Sequence, residues 1–165
     1  MMRGTWLMAL MVAAGCKGPQ GLCLQSGCES AVPVTVVDDA GVAGALGPGS
    51  YRFVVTTDSA ETEWSCELPG GDCGHDYFTD FEDGEDAGTL SLQARAGEQG
   101  LVIELLETRG NVWSGPERFT ITIERDGEVV GEEAYAPKYR PPLVSDACAV
   151  CLTREGGELL LHLPG

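Results

Sequence analysis

The stretch FTITIERDGEVVGEEAY, residues 119–135, decides the fold class because it contains two strand patterns joined by a two-residue turn. Apolar side chains at Phe119, Ile121 and Ile123 alternate with polar ones, which is the period of a strand with one buried face. Asp126-Gly127 follows immediately. Asp-Gly is the strongest short hairpin signal, because a type I′ turn needs positive φ at both central residues. The stretch therefore predicts an antiparallel β-hairpin.

The second strand of this hairpin does not alternate as cleanly as the first. A strict two-residue turn would place Ile121 opposite Glu132, an apolar residue against a charge. We therefore predict a bulge at Gly131, because one extra residue restores the alternation. The bulge brings Tyr135 to the face of Phe119.

The two-residue period recurs along most of the chain, between spacers rich in Gly, Pro, Asp and Ser. Further strands are expected over 62–67 and 158–163. Many short strands with regular turn signals predict an all-β fold, an antiparallel β-sandwich of about seven to eight strands, immunoglobulin-like or transthyretin-like and stapled by disulfides. The alternating apolar positions are Val32, Val34 and Val36, then Tyr51, Phe53 and Val55, then Leu90 and Leu92, then Leu101, Ile103 and Leu105.

The composition narrows the class of partner. The 165 residues carry a net charge of −16, with 26 acidic and 10 basic side chains. A chain this acidic is repelled by nucleic-acid phosphates and by anionic membrane surfaces, so we expect no nucleic-acid partner. The hydrophobic content of 43% is ordinary for a folded domain. The length allows one domain, and with the strand patterns this predicts a single sandwich over 32–165, ending in a Cys-containing extension.

The first fifteen residues have the pattern of an export signal. Arg3 supplies a positive charge, and the apolar run over 6–14 is too short to cross a bilayer. Ala13-Ala14-Gly15-Cys16 resembles the lipobox of bacterial lipoproteins, with Ala13 where Leu is commonest. An ordinary signal peptidase would also accept these small residues, which would leave Cys16 as a plain N-terminal thiol.

The lipobox resemblance implies a signal peptide over 1–15, a lipid on Cys16 and a tether over 16–31. Lys17 follows the lipidated position, where Asp is associated with retention in the inner membrane. The expected location is therefore the cell envelope, attached through the N-terminal lipid, with the outer membrane favoured.

The cysteine count is consistent with this assignment. Seven cysteines are odd for an exported protein, and lipidation of Cys16 leaves six that can pair fully. Six cysteines allow 15 connectivities, of which pairing between sequence neighbours is the simplest. A redox role for the last pair is disfavoured because no thioredoxin-like βαβ unit surrounds it, and the spacings do not match a zinc site. The disulfide candidates are Cys23 and Cys28, Cys66 and Cys73, and Cys148 and Cys151.

Two further segments resemble secreted bacterial proteins. The runs over 34–41 and 48–55 resemble the opening of secreted bacterial sandwich modules. The stretch over 135–139, followed by Cys148, Cys151 and an apolar strand, resembles the tail of small secreted lipoproteins of the myxobacterial type. The resemblance implies no catalytic residue.

The densest polar cluster spans residues 76–86, and we predict a solvated acidic loop between strands. Carboxylate oxygens are what Ca²⁺ prefers, so a calcium-stabilised adhesion module is an alternative, although the spacing does not match an EF-hand. A glycan or peptide hydrolase is a second alternative, and it needs two carboxylates facing each other about 5–10 Å apart. The candidate side chains are Asp76, Asp80, Glu82, Asp83, Glu85 and Asp86.

The histidines and large aromatic residues offer no nucleophile pattern. His75 and His162 are expected to be surface or turn residues, and Trp64 is expected to pack on a disulfide through Cys66. Trp113 is expected in a loop over 110–116. Core packing is its simplest role, although an exposed Trp113 could bind a sugar or peptide beside Tyr135 and Tyr139.

Together these patterns predict a non-catalytic cell-envelope lipoprotein that acts as a binding or structural module. No cofactor is expected, Ca²⁺ aside, and the partner would be an envelope protein or a glycan.

Overall fold

The computed structural model describes residues 31–38, 40–44, 46–83, 86–97, 100–141 and 150–163. These residues form strands and turns, and no helix among them is long and apolar enough to cross a membrane. The strands are β1 (Val32–Asp38), β2 (Gly49–Thr57), β3 (Glu61–Leu68), β4 (His75–Asp83), β5 (Asp86–Gly97), β6 (Gly100–Arg109), β7 (Val112–Ser114), β8 (Phe119–Arg125), β9 (Glu128–Tyr135), β10 (Tyr139–Arg140), β11 (Val150–Cys151), β12 (Thr153–Arg154) and β13 (Leu159–Leu163).

The strands form two packed sheets, which confirms the predicted β-sandwich. The small sheet has the order β3-β2-β8-β9. The large sheet has the order β4-β5-β6-β1-β13. The short β7 pairs with the end of β6 that β1 does not reach, and β11 pairs with β7. Most pairs are antiparallel, whereas β1–β13 and β7–β11 are parallel. A separate pair, β10 and β12, lies outside both sheets.

The core lies between the two sheets and is built from the alternating positions that the sequence indicates. In β6 the buried apolar side chains are Leu101, Ile103 and Leu105, and this strand has neighbours on both sides, as an apolar run predicts. The small sheet contributes Phe53 and Ile121, neither of which is exposed at all. The opposite faces of these strands point away from the core. The two-residue alternation along each strand therefore determines which side chains form the core and which form the surface.

The hairpin between β8 and β9 has the predicted turn and the predicted final register. Asp126 has a φ of 53° and Gly127 a φ of 85°, as the turn requires. Phe119 pairs with Tyr135, and the two rings stack with centroids 4.9 Å apart. The extra residue of the bulge is Val130 rather than Gly131, because Ile123 pairs with Gly131 and Glu124 with Val129.

Gly131 has a different role from the predicted one. A Cβ at this position would lie 2.6 Å from Cδ2 of Leu163 and 2.8 Å from Cδ2 of Leu161. Glycine therefore lets β9 pass close to β13, where the hydroxyl of Tyr135 donates a hydrogen bond of 2.9 Å to the carbonyl of Leu160. This contact closes one side of the sandwich.

The prediction of a loop over 76–86 is wrong for most of that segment. Residues 75–83 form β4, which pairs along its length with β5. Phe81 is buried and Tyr77 half-buried, whereas Asp76 and Asp80 are exposed. The segment therefore alternates like any other strand with one buried face. The acidic residues occupy the solvent-facing positions of this strand, and their density suggested a loop.

Candidate functional site

The outer face of β4 is the surface with the most unusual combination of side chains. Four residues share this face at every second position, and in the described part of the chain β4 pairs only with β5. Phe78 is 67% exposed, although a phenyl ring of this kind is normally buried. The outer face of β4 consists of Asp76, Phe78, Asp80 and Glu82.

The three carboxylates on this face have no counter-charge in the part of the chain that the structure describes. Among the described residues, none of them forms an ion pair or a side-chain hydrogen bond. The residues paired with them on β5 are Gln93, Thr89 and Ala87. Arg95, two positions from Gln93 on the same face, donates its guanidinium to the Gln93 side chain at 2.9 Å.

The other acidic edge strand, β3, differs in this respect. Glu63 bonds to Arg52 at 2.5 Å, and the same guanidinium bonds to Glu124 at 3.0 Å, which raises the pKa of Arg52. Glu67 accepts a hydrogen bond from Ser50 at 2.6 Å, and Glu61 accepts one from Thr56 at 3.1 Å. The carboxylates of β3 are thus satisfied within the chain, whereas Asp76, Asp80 and Glu82 of β4 have no such partner among the described residues.

Trp113 adds a second exposed aromatic residue to the outer face of the large sheet. It lies on β7 rather than in the expected loop, and it is 38% exposed. Its partner across the ladder is Thr108, which pairs in turn with Thr89. Among the described residues, no ring contact joins Trp113 to Tyr135 or Tyr139: Tyr135 stacks on Phe119, and the hydroxyl of Tyr139 bonds to the carbonyl of Pro116.

The described carboxylates of β4 lie in a row along one strand and do not gather into a group that could hold a metal ion. A strand rises about 3.3 Å per residue, so along β4 Asp76 and Asp80 are roughly 13 Å apart, and Asp80 and Glu82 roughly 7 Å apart. Among the described residues, no group of three His, Cys, Asp or Glu side chains is placed to hold a metal ion. The side chains of Asp83 and Asp86, and the whole of Glu85, lie outside the described part. The calcium and hydrolase hypotheses stay predictions.

His75 is neither a surface nor a turn residue, because it lies half-buried on the inner face of β4. Its ring stacks on Trp64 with centroids 4.8 Å apart and planes 5° apart, and Trp64 stacks on Phe53 at 4.9 Å. Nε2 of His75 is buried without a hydrogen-bond partner in the described part. The imidazole therefore extends an aromatic stack from the core to the edge strand. His162 lies exposed on β13.

One disulfide fixes the crossing from β3 to β4, and it confirms the pairing of sequence neighbours at that site. Cys66 is bonded to Cys73, with Cα atoms 5.2 Å apart, and both are buried. Nε1 of Trp64 donates to the carbonyl of Cys73 at 3.3 Å, so the indole packs on the disulfide as predicted. Cys151 is also disulfide-bonded. Cys16, Cys23, Cys28 and Cys148 lie outside the described residues.

A small cavity opens at the end of the sandwich where β1 terminates. Its volume is about 180 Å³, and apolar side chains such as Leu46, Tyr51 and Leu163 line it together with Arg125. The guanidinium of Arg125 donates to the carbonyl of Pro48 at 2.7 Å and lies 6.0 Å from the centroid of the Tyr51 ring. Arg125 is thus engaged in holding a loop, and the other charged residue of the lining, Asp38, accepts hydrogen bonds from the amides of Ala40 and Val42.

Two half-buried tyrosines, Tyr135 and Tyr139, make the free energy of unfolding depend on pH in the alkaline range. Burial raises the pKa of Tyr135 well above its usual value, and the charge of Glu133 adds to this. Burial is also the main cause of the raised pKa of Tyr139, whose hydroxyl donates to the carbonyl of Pro116 at 3.0 Å. In the unfolded chain both phenols ionise near pH 10.

We therefore expect the free energy of unfolding to fall as the pH rises above about 10, because the unfolded chain loses phenolic protons that the folded chain retains. Below that pH both phenols make their full contribution to the free energy of unfolding. Urea unfolding at pH 8 and pH 10.5 measures the effect. The double variant Tyr135→Phe/Tyr139→Phe should be less stable at pH 8, because two hydrogen bonds are lost, but should lose less stability on going to pH 10.5. An equal loss in both proteins would contradict this assignment.

No protein-family model, no curated protein and no solved structure matches this chain. The residues of the site itself are therefore what supports a function.

Proposed function

We propose that this chain is a non-catalytic binding module of the bacterial cell envelope, anchored through a lipid on Cys16. The outer face of β4 is its binding surface. The observation that carries the proposal is the exposure of Phe78 between carboxylates that have no partner among the described residues. Exposed aromatic groups surrounded by polar ones are typical of surfaces that bind another molecule.

Two features support the cellular location. The residues before Cys16 have the order of charge, apolar run and small residues that export signals share. The disulfide between Cys66 and Cys73 also favours an oxidising compartment, since the cytosol keeps most thiols reduced. Lys17 after the lipidated position favours the outer membrane.

The arrangement of the sheets supports a binding rather than a catalytic role. The three described carboxylates of β4 lie in a row along one strand, and the paired positions on β5 carry no acidic residue. A row of this kind presents charge to a partner, whereas glycoside hydrolysis needs two carboxylates on opposite sides of the bond that is cleaved.

Photo-crosslinking in intact bacterial cells tests the proposal. We expect a chain with p-benzoylphenylalanine in place of Phe78 to form a discrete covalent adduct with an envelope component on irradiation. The adduct is detected as a band of higher mass that carries an epitope tag of the chain. A bound partner would lie against this ring, since the side chain points away from the sheet.

Val129 provides the matched control position, because it is 60% exposed but lies on the small sheet. The same crosslinker there should give no such adduct, and equal adducts at both positions, or none at 78, would contradict the binding surface. Mass spectrometry of the N-terminal peptide of the mature chain tests the anchor separately. A lipid on Cys16 is expected, and an unmodified thiol there would contradict the anchor.

A further inference from the structure

We infer that β4 binds an extended, basic segment of a partner protein, which adds to the large sheet as a new strand beside it. This inference rests on the proposed function and names the chemistry of the partner. Strand addition uses the backbone groups of an edge strand for affinity and alternate side chains for specificity. Both are present along β4.

The backbone edge of β4 is long and uncovered in the described part of the chain. Nine residues span about 30 Å, which suffices for a partner strand of ordinary length. The edge at β13 differs because β9 packs over it through Tyr135 and Gly131. The edge at β3 is partly occupied as well, since the amide of Gly71 folds back onto the carbonyl of Glu67. Unpaired edge strands are templates for pairing with another chain.

The side chains of β4 specify what such a strand would carry. In a paired strand, directly opposite residues have Cβ atoms about 4.5–5.5 Å apart, and opposite charges at these positions attract. A partner strand therefore needs basic side chains opposite Asp76, Asp80 and Glu82, and an apolar one opposite Phe78. In the antiparallel direction this gives basic-x-basic-x-apolar-x-basic, where x points to the other face.

The same charges exclude a second copy of this chain as the occupant. Antiparallel pairing of two β4 strands in register would bring carboxylates of one copy next to those of the other, and like charges directly opposite are destabilising. The net charge of −16 adds long-range repulsion between copies. The partner is thus a different, basic protein.

A synthetic peptide of sequence TKTKTFTKT, acetylated and amidated at its ends, provides the probe. We expect it to bind the purified full chain, measured by fluorescence anisotropy, and to slow hydrogen exchange at the amides of β4. The triple variant Asp76→Asn/Asp80→Asn/Glu82→Gln should weaken binding about tenfold, from three partly exposed charge pairs. The matched control Glu117→Gln/Glu128→Gln/Glu155→Gln removes as many exposed charges elsewhere and should stay within about twofold.

Two methylated peptides separate strand addition from plain charge attraction. One carries N-methyl groups on the Lys and Phe amides, and the other carries them on the Thr amides. Alternate amides of a strand point to opposite edges, so pairing with β4 uses only one of these sets. One methylated peptide should therefore lose binding, while the other retains it. If both bind like the parent peptide, or if the parent does not bind, the inference is wrong. An adduct at position 78 in cells would then still support the proposed function.

Discussion

Replacing Phe53 by alanine should lower the free energy of unfolding by about 3–5 kcal/mol, the range for removing a fully buried phenyl group. Phe53 is 0% exposed on β2, and its ring stacks between Trp64 at 4.9 Å and Tyr51 at 6.1 Å. The substitution therefore removes the middle of the aromatic stack and leaves a cavity between the two sheets. Urea denaturation of the oxidised protein, followed by tryptophan fluorescence, measures the loss.

Val54→Ala is the matched control, because Val54 is adjacent in sequence but lies on the outer face of the small sheet and is half-buried. It should cost less than about 1 kcal/mol, since only a partly exposed group is removed. A chain with Phe53→Leu retains most of the volume, which provides a second measurement if the alanine variant does not fold. Equal losses at 53 and 54 would contradict the placement of the core.

The core positions could be predicted because alternation is a local property of the sequence. Phe53 belongs to a run in which every second residue is apolar. The turn at Asp126-Gly127 starts the pairing of β8 with β9 through the conformation of two residues. The bulge was predictable in its effect, which is the pairing of Phe119 with Tyr135. The position of the bulge could not be predicted. Gly131 is required by the close approach of β9 to β13, which is a tertiary contact.

The candidate site was predictable only in part. The acidic cluster and Phe78 are visible in the sequence, but charge density indicates solvent exposure in loops and in edge strands alike. A loop and an edge strand differ in whether the side chains at 75, 77, 79 and 81 face the core. These residues are His, Tyr, Thr and Phe, with Asp or Phe at the positions between them, so the sequence alone does not show a clear two-residue period. The pairing of strands that are far apart in the sequence cannot be predicted from a local pattern either. The parallel pairing of Val34 with Leu159 shows this.

Removing the disulfide by Cys66→Ala/Cys73→Ala should lower the free energy of unfolding by about 2–3 kcal/mol, because the unfolded chain regains the freedom of a short closed loop. The two cysteines are seven positions apart in the sequence, and alanine avoids placing an unpaired hydroxyl in their buried site. Substitution is preferable to a reducing agent, which would also act on the disulfide of Cys151. Urea unfolding of both proteins measures the difference.

The same variant should loosen the start of β4 more than the rest of the sandwich. His75 follows Cys73 by two residues and stacks on Trp64, whose Nε1 donates to the carbonyl of Cys73. Loss of the disulfide therefore releases the backbone that aligns β4 with its neighbours, and hydrogen exchange should accelerate at residues 73–77 before it changes in β8. If β4 and β8 exchange faster by the same factor, the disulfide acts on global stability alone. A local effect instead would mean that the disulfide keeps the edge strand ordered for its partner.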